Sequence, residues 1–124
     1  MNAPPLHELE SEVMEELWRV GEAPVRQVMD ALNRTAERSR AYTTYMTVMA
    51  RLHGKGLLER RRDGRTDIYT PVWSRAEYVS LRAESEVEEL INRYGDVAFS
   101  HFAKRVAGLD PERRRALERL SIES

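Results

Sequence analysis

SRAYTTYMTVMARLHGKGLLERRRDGRTDIYTP, Ser39–Pro71, sets a threonine-studded helix pattern beside a short and strongly basic segment. From Ala41 the apolar residues return at helical spacing until Gly54 and Gly56 interrupt them. On a helical wheel Tyr45, Val48, Met49 and Leu52 fall within about 100° of arc, the stripe a helix turns towards a core. Thr43, Thr47 and Ala50 then point the opposite way, with Thr44, Met46 and Arg51 on the flanks. That outward face has no acid and little bulk. It suits close approach to a groove wall of hydrogen-bond acceptors and methyl groups better than plain exposure to water.

Leu57–Arg62 and Arg65–Thr70 flank Asp63-Gly64, the dipeptide of a two-residue hairpin turn. A turn on those two residues pairs Arg62 with Arg65, Arg60 with Asp67 and Leu58 with Tyr69. Leu58 and Tyr69 then anchor the base of the hairpin, while Arg61, Arg62 and Arg65 crowd its tip without acidic partners. Gathered like charges cost folding free energy, which points to an external anion. The bland alternative is a charged edge that discourages strand-to-strand association.

Upstream, Leu6, Leu9, Val13, Met14, Leu17 and Trp18 recur at intervals of helical period, predicting a helix over Leu6–Val20 that Gly21 ends. Pro24 opens a second helix at its first position, with Val25, Val28, Met29 and Leu32 as the buried stripe. Asn33–Arg40 is polar and reads as a loop or a ragged helix end. Three helices followed by a hairpin make a winged helix-turn-helix over residues 1–72. In that arrangement the third helix enters the major groove of double-stranded DNA and the hairpin straddles the phosphate backbone. Thr43, Thr44, Met46 and Thr47 are the candidate base readers, with Arg51 beside them. Arg61, Arg62 and Arg65 are candidate phosphate contacts, joined by Arg38 and Arg40 just ahead of the helix.

The formal net charge of −1 conceals a strong division along the chain. Residues 33–65 carry nine Lys/Arg against three Asp/Glu, whereas residues 1–32 carry two against seven. A concentrated basic stretch governs polyanion binding more than the total does.

The remaining residues, 73–124, read as three more helices. Ser74-Arg-Ala-Glu77 matches a capping box and starts a helix reaching about Tyr94. Asp96 is expected to cap the next, ended by Gly108, and Asp110-Pro111 opens the last. Leu81, Val87, Leu90, Ile91, Phe99, Phe102 and Leu117 offer more apolar surface than so short a helical tail can hide. A second copy of the chain is the expected cover, because a twofold dimer matches a palindromic operator. The expected architecture is therefore mainly α with a small β-hairpin, a winged helix-turn-helix domain plus a C-terminal helical dimerisation region.

With 124 residues, 41% hydrophobic and 33% charged, the chain is sized for a soluble domain with an appendage. It has no cysteine, which removes disulfides and thiolate metal sites. His7, His53 and His101 are scattered, so neither metal nor cofactor is expected. No nucleophile elbow, phosphate loop or catalytic carboxylate pair stands out, so an enzyme is not expected either. The start of the chain carries no signal pattern and no apolar run approaches membrane-spanning length, making the cytoplasm the expected location.

LESEVMEELW (Leu9–Trp18), VRQVMDAL (Val25–Leu32), AYTTYMTVMARLHGKGLL (Ala41–Leu58) and GRTDIYTP (Gly64–Pro71) together resemble the BlaI/MecI/CopY family of penicillinase-type repressors. The resemblance implies a dimeric winged-helix repressor on inverted repeats with TACA/TGTA-like cores. It also implies a partner, a membrane-bound β-lactam sensor that triggers proteolysis in the dimerisation region. The chain departs from the pattern in three places. Tyr45 stands where family members commonly have valine. The scissile Asn-Phe step is absent, since Phe99 follows Ala98 and Phe102 follows His101. The cysteine pairs of the copper-responsive members are absent too.

Two other readings compete with an operator-binding dimer. One keeps the winged helix as a protein-interaction module whose arginines meet an acidic partner. The other is a small-molecule-gated repressor with Tyr78, Tyr94, Phe99 and Phe102 lining a pocket.

Overall fold

The structure, a computed structural model, describes residues 3–123. Among these, the elements run α1 (Glu8–Val20), α2 (Val25–Asn33), α3 (Tyr42–Gly54), β1 (Leu58–Asp63), β2 (Thr66–Pro71), α4 (Arg75–Tyr94), α5 (Asp96–Ala107) and α6 (Pro111–Glu123). The order is that of a winged helix-turn-helix followed by helices, as the periodicity predicts. Helix starts differ from expectation by a residue or two. α1 begins at Glu8, with the His7 backbone N–H donating to the Glu10 carboxylate at 3.0 Å, and Leu6 packs on the core from ahead of the helix. Pro24 is the N-cap of α2 rather than its first residue, and Gly95, not Asp96, precedes α5. The capping box at Ser74 and Glu77 forms with both hydrogen bonds, at 2.9 and 3.1 Å.

α3 is stopped by a specific chain reversal. Gly56 takes φ +81°, its N–H donates to His53 O, and the Leu57 N–H reaches back to Leu52 O at 3.0 Å. This is the Schellman arrangement, which needs a residue at positive φ and brings the side chains on either side of the turn together. Leu52 and Leu57 are both buried. The turn thus closes α3 and starts the wing in one step, fixing how the wing stands against the helix.

The chain divides into two compact units, Met1–Ala83 and Glu84–Ser124, rather than at 72/73. The first owns the core: Val13, Met14, Leu17, Val28, Tyr45, Met49, Leu52, Leu57, Leu58 and Tyr69 are all but fully buried. The first turns of α4 belong to it. Tyr78 packs its ring 5.6 Å from that of Trp18 and donates its hydroxyl to Pro4 O at 2.6 Å. The Trp18 indole N–H donates to Trp73 O at 2.9 Å. Leu81, expected in the dimerisation set, packs against this same core instead. Tyr78 is likewise committed to it and not to the lining of a ligand pocket.

The second unit holds the rest of α4 with α5 and α6. Asp110 caps α6 by accepting the Arg113 N–H at 2.9 Å. Among its described residues none is buried. Phe99 is 53% exposed and Val97 61%, with Val87, Leu90, Phe102 and Leu117 also exposed and Ile91 half-buried. A helical unit with so much bare apolar surface has no core of its own.

Candidate nucleic-acid interface

α3 turns the face predicted for it towards solvent. Tyr45, Val48, Met49 and Leu52 are buried, while Thr43, Thr44, Met46, Thr47, Ala50 and Arg51 are exposed. Met46 stands 44% exposed, an apolar side chain held out among hydroxyls.

The loop leading into α3 is held by one side chain. Asn33, the last residue of α2, receives the Arg40 backbone N–H on Oδ1 at 3.1 Å and donates Nδ2 to the Arg40 carbonyl at 3.0 Å. The buried Tyr45 hydroxyl donates to the same Oδ1 at 2.8 Å. Residues 34–39 are thereby closed into a loop whose end is pinned to the first turn of α3. Arg38 is exposed on that loop, whereas Arg40 is half-buried and lies 3.7 Å from Glu12. Nothing in the periodicity marks Asn33, although a tyrosine on the core face signals that its hydroxyl must find a partner.

The wing has a different register from the one expected. The Cα partners are Asp63↔Thr66, Arg62↔Asp67, Arg61↔Ile68, Arg60↔Tyr69, Glu59↔Thr70 and Leu58↔Pro71. The turn therefore sits on Gly64-Arg65, one residue further on than Asp63-Gly64. The reason lies in the backbone. Positive φ at both central residues would force Asp63 into the left-handed region, whereas a turn with glycine first needs it only at Gly64, which has φ +65°. Leu58 and Tyr69 are buried as expected but do not face each other.

The shift also changes the charges. Arg62 now stands opposite Asp67 and pairs with it at 3.2 Å. Arg61 pairs with Glu22 at 3.0 Å, and Glu22 also accepts the Thr70 hydroxyl at 3.3 Å. The expectation that Arg61, Arg62 and Arg65 all lack acidic partners is thus corrected: among the described residues it holds for Arg65 alone of the three. Glu22 arrives because its neighbour Ala23 bridges to Tyr69, with N–H to carbonyl distances of 3.1 and 3.0 Å. That bridge ties the α1–α2 turn to the root of the wing.

Behind this face Glu10, 2% exposed, takes Lys55 Nζ on both carboxylate oxygens at 3.0 and 2.9 Å. Burial pushes the Glu10 pKa up, but the His7 N–H and the Lys55 ammonium outweigh it and hold the carboxyl below its ordinary value. The pair joins the start of α1 to the end of α3. It escaped the sequence reading because a glutamate on an amphipathic helix is ordinarily a solvated one.

None of the described helices is long and apolar enough to cross a membrane. The model of the penicillinase repressor family matches residues 6–122. The chain is 41% identical over 120 residues to the transcriptional regulator BlaI of Mycobacterium tuberculosis, covering 93% of this chain and 84% of that one. It is 28% identical over 89 residues to the penicillinase repressor of Bacillus licheniformis, covering 72% and 68%. The solution structure of the monomeric form of Bacillus licheniformis BlaI, in complex with the blaP half-operator, superposes with a TM-score of 0.52. It is 29% identical and spans 63% of this chain and 94% of its own.

Proposed function

Because this chain belongs to the penicillinase repressor family of transcriptional repressors, we propose that it acts as a homodimer on inverted-repeat operator DNA. α3 lies in the major groove, where Thr43, Thr44, Met46 and Thr47 meet base edges. The wing lies on the phosphate backbone through Arg65, with Arg61 and Arg62 released from their carboxylates as phosphates replace them. Arg38, Arg40 and Arg51 add contacts around the same groove. The first compact unit reads DNA, and the second supplies the dimer through Val87, Leu90, Ile91, Phe99, Phe102 and Leu117.

The observation that carries this reading is the exposed face of α3. Small hydroxylated side chains and one methionine stand bare there, opposite a fully buried stripe and next to the wing. A helix packed only for stability gains nothing from an acid-free outer face, whereas one entering a groove of acceptors requires it. That a relative of the same fold has been solved in complex with a half-operator supports DNA as the ligand.

The test is a substitution on the reading face. Thr47→Leu places bulk where the groove wall should be, so affinity for the operator should fall by about 1–3 kcal/mol while affinity for random duplex changes little. Operator and random DNA losing affinity equally would show that α3 is not the reader.

A further inference from the structure

A cleft of 350 Å³ opens between the start of α2, the start of α3 and the wing, lined in part by Arg26, Tyr42, Met46, Arg65 and Asp67. Two of these, Arg26 and Tyr42, belong to no contact assigned so far. The Arg26 guanidinium carbon stands 5.1 Å from the centroid of the Tyr42 ring. Both side chains are exposed, Tyr42 at 39%. A guanidinium over an aromatic face is attracted by the ring's quadrupole, and its five N–H donors are not all used by that contact. The cation–π contact therefore favours one placement of the cation and leaves N–H donors of the guanidinium for another partner. Among the described residues neither Arg26 nor Arg65 pairs with a carboxylate, and the acid lining the cleft, Asp67, is already engaged by Arg62 at 3.2 Å. Two uncompensated guanidinium groups thus share one cleft, with the exposed methionine of the reading helix also in its lining.

We propose that Arg26, positioned by Tyr42, is a phosphate-binding residue. With Arg65 it grips the segment of DNA backbone that enters this cleft. The inference rests on the operator-binding reading and adds to it an anchor on α2. Contact at Arg26 as well as at the wing restrains the duplex on two elements, which sets the depth at which Met46 and the threonines meet the bases. Arg26 carries no sequence information itself. Tyr42 acts through Arg26 and is a positioning residue.

The test titrates the full chain and its variants with a mixed-sequence duplex of about 24 base pairs between about 50 and 200 mM salt, where phosphate contacts dominate. Arg26→Ala should bind about tenfold more weakly, and the slope of log affinity against log salt should become shallower by about one. Arg26→Lys keeps the charge but loses the planar guanidinium, so its slope should match the parent chain while its affinity falls about threefold. Tyr42→Leu should weaken binding with the slope retained, and Tyr42→Phe should bind more tightly than Tyr42→Leu. A parent chain that binds with a steep slope, and an Arg26→Ala variant identical to it, would overturn the role of Arg26 and leave the operator-binding reading standing. Failure of the parent chain to bind the duplex at all would overturn both.

Discussion

The Tyr45 hydroxyl donates to Asn33 Oδ1 at 2.8 Å, and that same oxygen accepts the Arg40 backbone N–H at 3.1 Å. A core residue of α3, the last residue of α2 and Arg40, near the end of the intervening loop, therefore meet at one atom. Tyr45 is fully buried, so its hydroxyl has no recourse to water if Asn33 is removed. Tyr45→Phe should cost about 1 kcal/mol in urea denaturation, because Asn33 keeps its two bonds to Arg40. Asn33→Ala leaves the tyrosine hydroxyl and the Arg40 backbone unsatisfied and should cost about 2–3 kcal/mol. Equal losses in the two variants would mean that the loop is held by something else.

Register decides which wing arginine is available. Among the described residues Arg65 makes no ion pair, while Arg61 and Arg62 must give up the Glu22 and Asp67 contacts before they can bind phosphate. Arg65→Ala should therefore flatten the salt dependence of DNA affinity by about one unit of slope, and more than Arg61→Ala does. Glu22→Gln removes a competing charge and should raise affinity for random duplex a few-fold, roughly what one exposed ion pair contributes. Weaker binding by Glu22→Gln would show that Glu22 positions Arg61 for DNA and does not compete for it.

The Glu10–Lys55 pair makes folding sensitive to acid. The folded Glu10 pKa is lowered, so its contribution to stability is present above the unfolded carboxylate value, about 4.3, and is lost as pH falls through the folded value. Stability of the parent chain should accordingly drop through and below pH ~4, and Glu10→Gln should show a shallower drop over the same window. Glu10→Ala should cost about 1–3 kcal/mol near neutrality, because Lys55 is only partly buried and can turn towards water. Superimposable acid profiles for the parent chain and Glu10→Gln would rule this pair out as the source.

The second unit predicts its own oligomeric behaviour. Its exposed Phe99, Leu90 and Phe102 would each contribute roughly 1.5–3 kcal/mol on full burial, before ordering costs. Phe99→Glu should give a monomer in sedimentation at micromolar concentration with the helical signal retained, and should weaken a two-half-site operator far more than a single half-site. Half-sites should lie about 10 base pairs apart, or a multiple of that. A chain cut near Thr70 loses Trp73 and Tyr78 from its core, so a stable single unit should instead end after Ala83. A parent chain that sediments as a monomer would defeat the dimer.

Much of this protein is determined by the sequence alone. The period of Val13, Leu17, Tyr45, Val48 and Leu52 dictates which faces turn inward, because apolar area leaves water wherever the chain can arrange it. The same spacing leaves Thr43 and Thr47 outside, so the exposed face of α3 follows by elimination. Ser74 with Glu77 and Asp110 with Pro111 mark helix starts through bonds a few residues long, which need no tertiary context.

What tertiary structure alone decided is the pairing of groups far apart in the chain. The single-residue shift of the wing depends on which residue accepts positive φ, and it gave Arg62 and Arg61 carboxylates that a sequence cannot align with them. Glu10 found Lys55, Asn33 found Tyr45 and Arg26 found Tyr42 by the crossing of helices, and such crossings are set by packing of the whole core. Local periodicity says which side of a helix is wet. Only the packed chain says which charge stands next to which, because electrostatic and hydrogen-bond partners are chosen over a few ångströms of space and not along the sequence.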